Sequence, residues 1–404
     1  MRILFVTPYV PSLIRVRPFN FIKQLSRRHE MALVCLVQGE KDAAAVDHIR
    51  EYCEKVYAFP LSKARSLANC CKRLFGRMPL QAAYTDLPSA RNFISLITQS
   101  VEFDVLHVEH VRGAHLADGV EGIPKVFDSV DCITRLLKLR LARERSTFQR
   151  ILGREELLKM QSYEPRIASE FDGIVITSEH DKRALEQLMP RPQDSRISVV
   201  GNGVDSDYFR PMPDRTRAGT IVFSGKMSYF PNVSGVLRFY REIFPRIRQV
   251  RPDARFKIVG SDPPNAVRKL NRDHAVEVTG YLKDIRPDLA SAEVVVCPLT
   301  VGVGIQNKVL EAMSMGKPVV ASSVASFGIP NAVDGQELVR ADEPSQIADA
   351  VLRLLNDPQR RQRIGENARR FVQERYSWDA VTRELEAVHA RTVDTFKERV
   401  LDAA

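Results

Sequence analysis

No run of about 18 apolar residues occurs anywhere in this chain, so it offers no membrane-spanning helix. The N-terminus, MRILFVTPYVP, lacks a long apolar core followed by small residues, and it reads as a first β-strand rather than a signal peptide. Cysteine is sparse, six residues among 404, with no CxxC pair. That excludes a secreted disulfide framework and suits a reducing cytoplasm. The eight histidines show neither HxxxH nor Cys/His zinc spacing, so no metal site is expected. There is no short-period repeat and no low-complexity tract.

What the chain does have is positive charge, a net +10 with a pI near 9.4. Such a balance favours polyanionic partners. The charge is clustered. Segment 62–78, SKARSLANCCKRLFGRM, carries five basic residues and no acid. Segment 133–150, ITRLLKLRLARERSTFQR, carries six against Glu144. Both interleave Arg and Lys with Leu or Phe at roughly helical spacing. Either alone reads as a solvated helix face. Two in one half of the chain point to an anionic membrane surface. No nucleic-acid module accompanies them, so nucleic acid is not an expected partner.

Short β-branched runs alternate with amphipathic stretches. Strands are expected at 2–7, 31–37, 55–59, 104–109, 125–127, 173–177 and 197–200. A Pro-, Asp- and Arg-rich stretch follows Gly203 and reads as a linker. A second series of strands is expected at 220–224, 255–259, 276–279, 294–298, 318–322 and 337–340. Nearly continuous apolar strands interleaved with helices imply parallel sheets covered on both faces. The expected class is therefore α/β, with two Rossmann-like, doubly wound domains facing across a cleft. The expected divisions are 1–203, a linker at 204–218, 219–375, and a helical segment at 376–404 that returns to the first domain.

Ligands of such sheets bind beyond the carboxyl ends of the strands. Two stretches there carry chemistry. In GVGIQNKVLEAMSMGKP, at 302–318, Asn307 is a good N-cap, the helix is expected at 308–315, and Gly316 with Pro318 ends it. The helix start is a ready anion site, and Lys308 beside that positive end is disfavoured unless an anion answers it. Glu311, one turn on, either complements the helix dipole or accepts hydrogen bonds from a vicinal diol. In FSGKMSYFPN, at 223–232, Gly225 permits close backbone approach, Lys226 follows a strand end, and Asn232 is expected to open a helix. Rival motifs fail. GVGIQN lacks the third glycine of a dinucleotide fingerprint, and MGKP lacks the upstream glycine of a P-loop.

The stretches VVGNGVDSDYF, FSGKMSYFPNVSGVLRF, VTGYLKDIRPDLASAEVVVCPL and GIQNKVLEAMSMGKPVVAS resemble glycosyltransferase family 4, retaining enzymes of the GT-B architecture. The ERYSWDAV stretch at 374–381 is similar to the family's usual ending. The wording around Gln306 is most similar to sugar transferases of exosortase-linked exopolysaccharide loci. The resemblance implies a nucleotide-sugar donor, UDP- or GDP-linked, held by the C-terminal domain. It also implies a glycan or lipid-linked acceptor at the N-terminal domain, and no cofactor or metal. By this likeness Glu311 matches the carboxylate that binds the donor ribose, and Lys226 a phosphate-binding basic residue. Gly304, Ile305, Gln306 and Asn307 match the loop whose amides face the donor sugar, backbone near 280–283 reads the base, and His110 matches an active-site histidine. Glu109 is its neighbour and competitor.

Three departures matter. Val303 stands where the family places its first carboxylate, and Pro231 where a second phosphate lysine is common. Leu13 and Ile14 replace paired glycines, leaving Arg15 and Arg17 as candidate phosphate or acceptor contacts. Lys308 is then expected to supply the cation missing at Pro231. Alongside a cytoplasmic hexosyltransferase, peripheral on the inner face of the plasma membrane, two other readings stay open. One is a GT-B sugar-nucleotide epimerase, the other a catalytically silent binding protein of a polysaccharide machine.

Overall fold

The computed structural model describes residues 1–142, 146–190, 196–301 and 305–402. The chain forms two compact units, Met1–Gly201 with Val381–Ala404, and Asn202–Ala380.

The first unit is built on a parallel sheet of β1 Arg2–Thr7, β2 Glu30–Val37, β3 Lys55–Pro60, β4 Val105–Glu109, β5 Lys125–Val130, β6 Gly173–Ile176 and β7 Ile197–Val199, in the order β3-β2-β1-β4-β5-β6-β7. The apolar runs of β1 and β4 are buried throughout, as a sheet covered on both faces requires. Register places Val6 beside Val108 and Glu109 beside Asp128, so those two acids end adjacent strands side by side. The helix Trp378–Asp402 contributes its residues from Val381 onward to this unit. Leu385, Val388 and His389 are buried there, and Glu386 accepts from Arg28 at 2.7 Å.

The second unit carries β8 Thr220–Ser224, β9 Arg255–Val259, β10 Val276–Val278, β11 Val294–Cys297, β12 Val319–Ala321 and β13 Val339–Arg340, ordered β10-β9-β8-β11-β12-β13 and all parallel. All thirteen strands lie where the alternation in the sequence predicts them, and the fold class is as expected. The packed rings of Phe239, Phe244 and Phe256 anchor the core, each worth roughly 2–3 kcal/mol of burial.

Residues 233–250, whose apolar spacing is helical, do not form one regular helix: the helix begins at Phe230 and passes through a wide turn at Phe239–Ile243 before Phe244–Val250. Pro231 sits in the first turn, where its missing N–H costs nothing, and Pro245 follows the wide turn because it cannot join a regular i→i−4 ladder. Residues 202–218 cluster with the second unit. There the Asp205 carboxylate caps the amides of Asp207 and Tyr208 at 3.2 and 2.9 Å.

Candidate functional site

In each sheet the strand order reverses beside the first strand, between β8 and β11 in the second unit and between β1 and β4 in the first. Helices on either side of such a point leave on opposite faces, opening a crevice at the carboxyl ends.

In the second unit β8 ends at Ser224 and the chain turns through Gly225 at φ 149°. Its N–H donates to Val259 O at 2.9 Å. Gly260, at φ 155°, lies so close that a Cβ there would sit 1.9 Å from the Gly225 carbonyl oxygen. Two strand ends therefore meet backbone to backbone, which only glycine permits. Across the crevice stands the helix Asn307–Ser314. A Cβ on Gly225 would lie 2.9 Å from Lys308 Cε and 2.7 Å from Asn232 Nδ2, so the lysine stem crosses directly over the glycine. The Lys308 ammonium donates to Gln306 Oε1 at 2.7 Å.

Gln306, not Asn307, is the N-cap, with φ −87° and ψ 94°. This corrects the expectation, and Asn307 is instead the exposed first helical residue. The Gln306 side chain does not cap the start, because its amide oxygen holds Lys308. Among the described residues the amides at the helix start thus lack a side-chain acceptor, and the positive end of the dipole faces the crevice.

One turn on, Glu311 is partly accessible but closely surrounded. Burial raises its carboxyl to about 7, with Lys308 pulling the other way. Lys226 is exposed, and among the described residues no acceptor holds its ammonium. Its carbonyl accepts from Asn232 Nδ2 at 2.9 Å. Asn232 does not open the following helix but lies buried in its first turn. Ile305 packs against the core of this unit and Gln306 is buried. Gly304, with Gly302 and Val303, lies outside the described residues. The structure thus gathers Gly225, Gln306, Lys308 and Glu311, with Lys226 adjoining Gly225 in the chain. Beside them, at the ends of β9 and β10, an open cavity of about 480 Å³ is lined by Asp262, Arg268, Thr279, Gly280 and Tyr281 among others.

In the first unit the crevice holds Tyr9 after β1 and Glu109 at the end of β4. The Tyr9 hydroxyl donates to Glu109 Oε1 at 3.0 Å, while the buried Oε2 has no partner. Burial, with Asp128 alongside, pushes the Glu109 carboxyl up to about 8. His110 follows in left-handed backbone, φ 66°, its N–H bonded to Asp128 O at 2.7 Å. Its Nδ1 accepts from Arg112 N–H at 3.2 Å. Burial and Arg112 lower the His110 imidazole to about 4, so at neutral pH it carries no charge.

Arg15 stacks over the Tyr9 ring at 4.3 Å and bonds to Val10 O at 3.2 Å. Arg17, expected as a phosphate or acceptor contact, has its guanidinium engaged within the protein instead. It is buried, pairs with Asp128 Oδ2 at 2.8 Å, and donates to the carbonyls of Gly201 and Val200 at 2.7 and 3.0 Å. Its fork ties the segment after β1 to the ends of β5 and β7. Removing one member of such a buried pair strands the other charge. Arg17→Ala is therefore expected to destabilise the protein by about 3–5 kcal/mol in chemical denaturation. A change under about 1 kcal/mol would contradict the tether.

Residues 218–357 match the family model described as "Glycosyl transferases group 1". That stretch is similar to group 1 glycosyltransferases, and the fold is GT-B. The chain is 26% identical over 303 residues to an MMP alpha-(1->4)-mannosyltransferase of Mycolicibacterium hassiacum, covering 72% of this chain and 71% of that protein. It is 27% identical over 254 residues to a D-inositol 3-phosphate glycosyltransferase of Corynebacterium aurimucosum, covering 56% and 58% of the two chains, so little more than half of that relative is spanned. Anabaena HepE, solved in complex with UDP, superposes with a TM-score of 0.68 over 97% of this chain and all of the other, at 15% identity.

Sequence reasoning missed Tyr9, Asp128, His107 and His389 of this glycosyltransferase fold. His107, on β4, lies 3.0 Å from His389 and stacks on Phe5, and burial holds its imidazole neutral, down to about 3. One signal was available for Asp128, an acid closing the apolar run KVF at a strand's carboxyl end. Nothing local announces His389, whose partner is 282 residues away.

Proposed function

We propose that this protein is a retaining glycosyltransferase, moving a hexose from a nucleotide diphosphate sugar to a glycan acceptor carried on lipid, in exopolysaccharide biosynthesis at the cytoplasmic face of the membrane. The observation that carries this reading is the Lys308 stem lying over Gly225 at the reversal point of the second sheet, with Glu311 one turn along. The diphosphate would dock at the uncapped helix start, between Lys308 and Lys226. Glu311 would accept from the ribose hydroxyls, and the base would enter the cavity beside Gly280. The names of the relatives, which transfer mannosyl and other glycosyl groups, support a hexose.

In the reaction the bond from the anomeric carbon to the diphosphate oxygen breaks, and an acceptor hydroxyl forms the new bond while its proton passes to the departing diphosphate. Negative charge grows on the leaving diphosphate. Two ammonium groups and a helix start are fixed before that charge appears, so their reorganisation costs nothing at the transition state. These cations fill the role a metal would otherwise take, and the activity is expected to persist in chelator. His110, uncharged, is the candidate group for the acceptor side.

Incubation with a panel of UDP-, GDP- and ADP-sugars tests the reading. Slow donor hydrolysis, with product of retained anomeric configuration by proton NMR, supports it. An epimerised sugar nucleotide, or binding without turnover, overturns it.

A further inference from the structure

The two basic segments of the first unit, distant in sequence, are fastened to one another. Lys159, in the helix Thr147–Glu170, donates to the carbonyl of Arg73 at 3.1 Å and to that of Leu74. Glu156 of the same helix accepts from the amides of Leu80 and Gln81 at 2.7 and 3.1 Å. The helix Ile133–Leu141 packs on it in turn, since a Cβ on Gly153 would lie 2.6 Å from Leu141 Cδ2. The chain leaves the carboxyl ends of β3 and β5 before the helices Lys63–Arg73 and Ile133–Leu141 begin, so their first turns start on the crevice side of the sheet.

This assembly presents large apolar side chains to solvent. Phe75 is 95% exposed, Phe148 75% and Ile151 64%, with Leu67 and Leu158 similarly uncovered. Around them, residues 62–78, 133–142 and 146–154 hold ten Lys or Arg and no Asp or Glu. Acids from elsewhere in the unit reach two of these cations, Asp181 bonding Arg135 and Asp86 lying 3.6 Å from Arg73. Apolar knobs in a predominantly basic field suit the boundary between anionic headgroups and acyl chains, where each basic residue contributes about 1 kcal/mol and the knobs bury their surface.

We infer that this face docks the protein on an anionic lipid bilayer, Phe75, Phe148 and Ile151 entering the interface while Lys72, Arg77 and Arg150 meet lipid phosphates. The inference rests on the proposed function only in supplying a reason for docking, because it would carry the reversal-point crevice of the first unit to lipid-borne acceptors.

The full chain should co-sediment with phosphatidylglycerol vesicles and not with pure phosphatidylcholine vesicles, and salt should release it. Replacing Lys72, Arg77 and Arg150 together by glutamine should weaken partitioning about a hundredfold, from roughly 1 kcal/mol for each. Phe75→Ser with Phe148→Ser should weaken it at unchanged charge. Melting temperature and nucleotide-sugar hydrolysis should not change in either variant, which separates docking from the donor chemistry. Absence of binding to phosphatidylglycerol vesicles at low salt, or binding indifferent to both variants, overturns the inference. Loss of hydrolysis with docking intact would instead count against the proposed function alone.

Discussion

Lys308→Ala is expected to lower kcat/KM for the sugar nucleotide by about a hundredfold or more, the scale seen when a transition state is deprived of one preorganised charge. It should also abolish most of the melting-temperature rise given by the nucleoside diphosphate. The fold should tolerate the change, because the ammonium bonds to the side chain of neighbouring Gln306 and not to a distant element. Lys308→Arg should recover only part of the activity, since a planar fork does not fit over Gly225 as a slim ammonium stem does. Kinetics and ligand-induced melting shifts like those of the native protein would remove Lys308 from the phosphate site. The same result would restore the plain reading of a lysine at a helix start.

Glu311→Gln should make the protein both more stable and less active. The folded carboxyl is raised from 4.5 to about 7, so its proton-linked stability is present below the unfolded value and is lost as pH rises through about 7. At pH 8 the native protein therefore holds an ionised carboxylate in poorly hydrated surroundings. Glutamine removes that burden and should stabilise on the order of 2 kcal/mol at pH 8, with little gain at pH 5. Donor affinity should move the opposite way. An ionised carboxylate is the better acceptor for ribose hydroxyls, so affinity in the native protein should climb between pH 6 and 8, where the group loses its proton. In the variant it should be flat and roughly tenfold weaker at pH 8. Denaturation curves and calorimetric titration at three pH values check both halves. A variant that binds donor as tightly as the native protein would take Glu311 out of the ribose site. A variant less stable at pH 8 would show that its pairing with Lys308 outweighs its desolvation. Because the two residues are neighbours, the double substitution should not be additive.

The strands were legible because their signal is local. Each is a short run of β-branched and apolar residues bounded by turn chemistry, and burial on both faces requires that composition wherever the strand ends up. Gly225, Lys226, Lys308 and Glu311 were legible for a related reason. They follow strand ends or open a helix, and those positions face the crevice in any sheet wound this way. The N-cap was misread because Asn307 is the better capping residue by type, yet the Gln306 side chain is drawn to Lys308 and the helix starts one residue early. Arg17 was misread for a non-local reason. In sequence it is one of two arginines in a loop, and its partners Asp128, Val200 and Gly201 lie more than 100 residues away.

Sequence alone determined the order and class of the elements, the two sheets, and which short stretches stand at their carboxyl ends, since these depend on composition over a few neighbouring residues. Tertiary structure decided the rest. It buried Glu109, with Asp128 alongside, and so raised its carboxyl to about 8, and it closed Gly225 against Gly260 and Lys308. It also tied Lys159 to the segment that bears Phe75. Desolvation, charge proximity and close approach depend on which atoms become neighbours through space, and spacing along a chain does not encode those distances.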